Sequence, residues 1–225
     1  MASFGLDTDH FSLADTNLSL VSSSKTPHAK QTAEARDSEG NIAALSFYGT
    51  VTLYDIECTY ALKAGTQLIS GIKIGPKTGT VVMQSLSGTT SNSAWPQITA
   101  SGITGAVDTD SMPSFTAPAI TLTAAKTAQG IGFTKGAACA LTGSSFTFSG
   151  ELAEQLDSAG NVAAQAFTGA MFEASGDFVE VTGAATWTID TTYGLTEVQA
   201  PSSGKGNTEY GTGTGTASRF VAADT

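Results

Sequence analysis

Polar and apolar residues alternate along most of the chain, as they do in β-strands that bury one face and expose the other. The clearest run is 54–63, in which apolar side chains fall on the even positions and more polar ones on the odd positions. The spacing of three and four residues that defines an amphipathic helix is nearly absent. Gly- and Ser-rich breaks separate the runs at short intervals. The pattern therefore predicts an all-β protein of the sandwich or barrel type.

One stretch of sequence occurs twice, at an offset of 120 positions. Residues 33–49 read AEARDSEGNIAALSFYG and residues 153–169 read AEQLDSAGNVAAQAFTG, with ten of 17 positions identical. Chance would give about one identity in a window of this length, so the repeat indicates an internal duplication. We therefore expect two tandem, related β units.

The shared core of the repeat, Asp-Ser-x-Gly-Asn, predicts a hairpin turn in each copy. The aspartate carboxylate caps such a turn, and the glycine takes the positive φ that closes it. The predicted turn residues are Asp37, Gly40 and Asn41 in the first copy and Asp157, Gly160 and Asn161 in the second. The strand after each turn is expected to carry Phe47 or Phe167 into a core. Turn formation is a simpler interpretation of the two aspartates than metal binding.

A fainter echo lies downstream of each hairpin, at an offset of 115. Asn92-Ser-Ala-Trp95 precedes one alternating stretch, and Asn207-Thr-Glu-Tyr210 precedes the other. Trp95 and Tyr210 are therefore predicted to be aromatic core anchors, one in each unit.

These landmarks divide the chain into four parts. The predicted parts are an extended N-terminal arm (1–27), a first β unit (28–105), a connector (106–143) and a second β unit with a C-terminal tail (144–225). The connector contains prolines, which are poor guests in a central strand.

The net charge of the chain disfavours nucleic acid as a binding partner. Twenty acidic and ten basic residues give a net charge of −10, whereas proteins that grip nucleic acid usually present a basic face. A transcription factor or nuclease is therefore disfavoured, although a protein past which DNA moves without binding is not. No apolar run reaches the roughly 18 residues of a membrane span, so no membrane partner is expected. Residues 1–10 lack the features of a secretory signal, which predicts a cytosolic protein.

The sequence offers no constellation of catalytic residues. It has two histidines and no Gly-x-Ser-x-Gly elbow, and its acidic pairs lie on one strand without an obvious cleft. We expect no enzymatic activity, no metal and no cofactor. A duplicated β unit rich in Thr, Ser, Ala and Gly is more typical of a building block that associates with itself.

The hairpin 33–49 and the later Thr-Ser-Asn-Ser-Ala-Trp-Pro at 90–96 resemble virion structural proteins of tailed bacteriophages, and are most similar to tail tube proteins. The resemblance implies a β-sandwich or barrel whose inner sheet joins its neighbours into rings that stack into a tube. The resemblance also implies that a chain carrying the unit twice forms a homotrimer with pseudo-sixfold symmetry. The expected location is the virion tail, after assembly in the host cytoplasm with other tail proteins.

Acidic residues then acquire an expected role. Asp55 and Glu57 in the first unit, with Asp177 and Glu180 as counterparts in the second, are candidate lumen residues that repel passing DNA without specific binding. Two other functions fit the same sequence. One is a capsid decoration or neck protein, and the other is a tail-tip module that binds surface glycan through Trp95 or Trp187.

Overall fold

The computed structural model of the protein describes residues 8–28, 31–48, 53–75, 77–78, 81–105, 112–158, 162–181, 187–195, 197–199 and 211–224. Within these ranges the chain is all-β, as predicted, and its one helical element is a 3-10 turn at Thr191–Tyr193. None of the described segments forms a helix of the length and apolar character that crossing a bilayer requires.

The longest strands are the two of the second hairpin, β13 and β14, and the shortest have only two residues. In chain order they are β1 (Leu18–Pro27), β2 (Gln31–Arg36), β3 (Ile42–Tyr48), β4 (Tyr54–Leu62), β5 (Thr66–Ile69), β6 (Lys73–Ile74), β7 (Lys77–Thr78), β8 (Val81–Ser91), β9 (Gln97–Thr104), β10 (Phe115–Thr116), β11 (Ile120–Thr123), β12 (Phe133–Lys135), β13 (Cys139–Leu156), β14 (Val162–Glu180), β15 (Trp187–Ile189), β16 (Glu197–Gln199) and β17 (Thr212–Val221).

One antiparallel sheet of nine strands dominates the described residues. Its order is β1-β4-β9-β8-β13-β14-β17-β16, and β7 pairs with one end of β8. The order contains the same arrangement twice. We call β1-β4-β9-β8 the first quartet and β13-β14-β17-β16 the second quartet. In each quartet the first two strands in the sheet order form the base of a hairpin. The third strand, β9 or β17, comes last of the four along the chain and lies between the hairpin and the fourth strand.

The two repeated sequences form hairpins with the same pairing. Ala33 lies opposite Ser46 in the β2–β3 hairpin, and Ala153 lies opposite Ala166 in the β13–β14 hairpin, 120 positions later. Each hairpin also shifts register at the equivalent place, directly before Arg36 and directly before Leu156. The repeat in the sequence therefore corresponds to a repeated local structure.

The segment predicted as an N-terminal arm adopts a different structure. Its residues 18–27 form β1, which pairs with β4 along its length, and Leu18 is buried opposite Leu62. Upstream of β1, Phe11 and Leu13 pack against the core. The expectation of an extended arm was wrong for these residues because the serine-rich sequence of β1 conceals its alternation, while its backbone satisfies the ladder of β4.

The core lies on one side of the main sheet. Large apolar side chains from both quartets meet there, including Tyr60, Leu86, Phe146, Phe148 and Phe172, all almost completely buried. Three small two-stranded sheets, β5–β11, β6–β10 and β12–β15, contribute further apolar residues to the same core cluster. This arrangement is sandwich-like, and it leaves the opposite side of the main sheet available for a different role.

The first repeat turn has the geometry that its sequence suggests. The Asp37 carboxylate accepts hydrogen bonds from the backbone N–H groups of Glu39 and Asn41, each at 2.9 Å. These bonds hold the pKa of Asp37 below its usual value. Gly40 has a φ of 87°, in the region that non-glycine residues avoid. In the second turn Asp157 is described, whereas Gly160 and Asn161 lie outside the described residues.

We expect Gly40→Val to destabilise the protein by about 1–2 kcal/mol, because a β-branched residue is strained at this positive φ. No atom lies within 4 Å of a Cβ built at Gly40, so backbone strain rather than a clash is being measured. Glu39→Val, one residue earlier at an equally exposed position, is the matched control. Urea unfolding followed by circular dichroism gives both values, and equal losses for the two variants would contradict the turn geometry.

Candidate assembly surface

The side of the main sheet that faces away from the core is polar. Strand alternation places small hydroxyl side chains there in adjacent rows, and we call this side the polar face. Its described hydroxyl residues on the inner strands include Thr59, Ser85, Ser87, Thr89, Thr99, Ser101, Ser145, Thr147, Ser149, Ser175, Thr214, Thr216 and Ser218. A face of this composition is suited to contact with water rather than to burial.

Hydroxyls on neighbouring strands bind one another across this face. Ser85 Oγ lies 2.7 Å from Ser101 Oγ, and Ser145 Oγ lies 2.7 Å from Ser175 Oγ. Because each hydroxyl both donates and accepts, such pairs satisfy the side chains within the sheet. The face is therefore hydrophilic, and at these two places its hydroxyls are satisfied within the sheet.

The charged side chains that the structure describes on the inner strands of the polar face are negative. Asp55 and Glu57 on β4, and Glu173 and Asp177 on β14, alternate with the buried residues of their strands. Asp177 accepts a hydrogen bond from Thr214 Oγ1 at 2.7 Å. Among the described residues of β1, β4, β8, β9, β13, β14 and β17, none on this face is Lys or Arg.

One predicted lumen acid lies elsewhere. Glu180 has the parity of the buried Phe178 and is paired with the buried Cys139, so it belongs to the core side of the sheet. The prediction grouped it with Asp177 by proximity in sequence, but three positions along a strand reverse the face. Glu173, which the sequence analysis did not select, has the correct parity. Strict counting in twos along 170–180 would have found it.

The two quartets are joined by seven residue pairs between β8 and β13, from Ser85–Ser149 to Ser91–Gly143. On the core side of this seam the buried hydroxyls of Thr90 and Ser144 are 2.8 Å apart. Both also bind the backbone of Gln129, since Gln129 N–H donates to Thr90 Oγ1 at 2.9 Å and Ser144 Oγ donates to the Gln129 carbonyl. The seam is thus a continuous and satisfied part of the sheet.

The distal part of the β13–β14 hairpin lies across the first quartet. Leu152 packs on Val82 and Ile103, which belong to the polar face and are 0% exposed. Opposite Leu152 on the hairpin, Phe167 is buried with its ring centroid 5.9 Å from that of Phe115. The second quartet therefore covers an apolar part of the first with its own hairpin.

A histidine bridges this hairpin to the first quartet. His28 Nδ1 lies 2.6 Å from Asp55 Oδ1, and His28 Nε2 lies 2.9 Å from Glu154 Oε2. Glu154 also accepts a hydrogen bond from Gln165 Nε2 at 2.6 Å. Desolvation alone lowers the pKa of His28, but the hydrogen bonds to Glu154 and Asp55 outweigh it and raise the pKa above its usual value.

The C-terminal segment makes a second bridge to the first half of the chain. The Asp224 carboxylate lies 2.9 Å from Lys73 Nζ and accepts hydrogen bonds from Ser114 Oγ at 2.7 Å and Thr116 Oγ1 at 2.9 Å. Lys73 and the two hydroxyls lower the pKa of Asp224 to about 2. This contact is exposed, so solvent screens it and it contributes little stability.

Both outer strands of the main sheet have one partner each within the described residues. β1 pairs with β4, and β16 pairs with β17. β1 is ten residues long and most of its side chains are at least partly exposed. An edge of this kind presents unpaired backbone groups that accept a further strand.

The predicted core anchors have different outcomes. Phe167 is buried, while the side chain of Phe47 and all of Tyr210 lie outside the described residues. Trp95 is not a core anchor, since it is 45% exposed in the loop between β8 and β9, with Lys126 Nζ 5.8 Å from its ring centroid. The weak repeat at an offset of 115 predicted a buried Trp95, but a residue in a loop outside the strand ladder is not constrained to face the core.

Neither a scan against protein-family models nor a search of curated proteins returned a match. Within the described part of the chain, no group of three or more His, Cys, Asp and Glu residues has a geometry that could hold a metal ion.

The His28 bridge predicts a pH dependence of stability. A folded-state pKa raised above the usual value means that the contribution is fully present below about pH 6.5 and is lost as the pH rises through the folded-state pKa. We expect His28→Gln to lower Tm more at pH 5.5 than at pH 9, by an amount equivalent to roughly 0.5–1 kcal/mol for a partly screened pair.

Glu154→Gln should reproduce this pH dependence, because it removes the carboxylate on the other side of the bridge. Glu151→Gln is the matched control, since Glu151 is exposed on the same strand at a position of opposite parity. Thermal unfolding at both pH values gives the comparison. A loss for His28→Gln that is the same at pH 5.5 and pH 9 would show that the bridge carries no charge-dependent stability.

Proposed function

We propose that the protein is a structural subunit that assembles with copies of itself into a closed ring, as its resemblance to tail tube proteins of tailed bacteriophages implies. The observation that carries the proposal is the β8–β13 seam. Within one chain it joins the last strand of one quartet to the first strand of an identically ordered quartet. The outer strands β16 and β1 hold the equivalent positions at the two ends of the sheet. Pairing β16 of one copy with β1 of the next repeats the seam between chains.

A duplicated unit is the simplest source of this arrangement. Ten identities in 17 positions, the same pairing in both hairpins and the same strand order in both quartets support it. Such a chain meets itself head to tail. A head-to-tail contact closes into a ring when the rotation between units is a fraction of a full turn, and otherwise forms an open filament.

Three chains are the stoichiometry that we propose. Each chain contributes the eight strands of the main path, so a homotrimer supplies about 24 strands arranged as six similar quartets. Barrels of 16–18 strands already enclose a water-filled channel. A closed sheet of this larger size surrounds a lumen, and stacked rings form a tube.

The polar face is the side that we assign to the lumen. Hydroxyls bind one another across it at Ser85–Ser101 and Ser145–Ser175, and its strands β4 and β14 carry the carboxylates of Asp55, Glu57, Glu173 and Asp177. A lining of this kind repels phosphate groups, so DNA slides past. We accordingly place the protein in the virion tail, assembled in the host cytoplasm together with other tail proteins and acting without catalysis.

The exposed Trp95 favours a second candidate, a tail-tip module that binds glycan. An aromatic ring at the surface with a lysine beside it is a platform on which a sugar can stack. Measurable affinity for host-surface glycan that is lost in Trp95→Ala, together with a monomeric protein at all concentrations, would favour this candidate over the ring.

The ring proposal predicts that concentrated protein forms rings or tubes visible by negative-stain electron microscopy. Ser24→Lys should abolish them while leaving the monomer folded, because Ser24 is exposed on β1 and a lysine on an edge strand opposes edge-to-edge pairing. Ser93→Lys makes the same change at an exposed position in the loop after β8 and should assemble normally. Equal assembly of the two variants, or a wild-type protein that stays monomeric, would contradict the proposal.

A further inference from the structure

Phe220 is the most exposed large apolar side chain in the described residues. Its exposed fraction is 83%, while seven other phenylalanines are buried and Phe11 is partly buried. It lies on β17 opposite Met171 of β14, on the polar face near the end from which the hairpin projects. Phe220 and Met171 form an apolar area within an otherwise hydrophilic surface, and we call it the Phe220 patch.

The first quartet has an apolar area on the same face, and there it is covered. Val82 and Ile103 lie under Leu152 of the β13–β14 hairpin, and both are 0% exposed. That hairpin approaches the first quartet across the β8–β13 seam. In the second quartet the Phe220 patch has no hairpin over it among the described residues.

The chain contains a second hairpin of the same design. The side of the β13–β14 hairpin that covers the first quartet carries Leu152, Glu154, Gln165 and Phe167. The equivalent register positions of the β2–β3 hairpin hold Thr32, Glu34, Leu45 and Phe47 in the sequence. The β2–β3 hairpin continues from β1 and β4, so its base lies at the β1 edge of the sheet.

We infer that the Phe220 patch is the docking site for the β2–β3 hairpin of a second copy of this chain. The inference rests on the proposed ring, in which β16 of one copy pairs with β1 of the next. That contact brings the β2–β3 hairpin of the second copy beside the second quartet of the first, as the β8–β13 seam brings the other hairpin beside the first quartet. The intrachain contact then recurs between chains, and every quartet is covered by the hairpin of its neighbour.

The first test compares two truncations of exposed apolar side chains. Phe220→Ser should weaken ring formation at least tenfold in the protein concentration required, because it removes the apolar centre of the contact. Its thermal stability as a monomer should remain unchanged, since the side chain is exposed. Leu68→Ser is the matched control, because Leu68 is 56% exposed on β5, away from the main sheet. Ring formation by Phe220→Ser at the wild-type concentration would overturn the inference.

The second test locates the partner directly. A photoreactive benzophenone side chain is placed at position 220, rings are formed and irradiated, and the cross-linked peptides are identified by mass spectrometry. Cross-links to residues 31–48 of another copy support the inference. Rings whose cross-links fall only elsewhere contradict the docking site and leave the proposed function intact. A protein that forms no rings at any concentration contradicts both.

Discussion

The structure depends on how the backbone hydrogen bonds of one sheet are satisfied. Every strand between the two ends of the main sheet has neighbours on both sides, including the two strands that meet at the β8–β13 seam. The seam makes the two quartets one surface rather than two separate sandwiches. Among the described residues, β1 and β16 have one neighbour each, so the two ends of the sheet lack there the strand pairing that unites the quartets.

The two sides of the main sheet differ in composition and in what they contribute to the protein. One side buries aromatic and aliphatic residues against three small sheets, and this burial supplies the main stabilising free energy. The other side carries paired hydroxyls and, on β4 and β14, the carboxylates of Asp55, Glu57, Glu173 and Asp177, which contribute little to the core. The negative field of these carboxylates is suited to keeping a polyanion at a distance.

Much of this could be predicted from sequence, and the failures have physical causes. The alternation of 54–63 predicted β4 and its exposed acids, because β4 buries only one of its two faces and its side chains alternate accordingly. The serine-rich β1 was mistaken for an arm, because its place in the sheet is decided by the β4 ladder rather than by its own side chains. Trp95 and Glu180 were misplaced because residue type and proximity do not report which face a backbone position presents. The His28 bridge joins residues 126 positions apart and has no local signal.

Hydrogen–deuterium exchange of the β1 amides is the most direct test of the central claim, that the free edge of β1 pairs with a strand of another copy on assembly. Exchange is compared between dilute monomer and concentrated, assembled protein, with β4, which already has partners on both sides, as the internal reference. The account predicts fast exchange at the outward-facing amides of β1 in the monomer and strong protection on assembly, with little change in β4. Equal exchange of β1 in the two samples would contradict it.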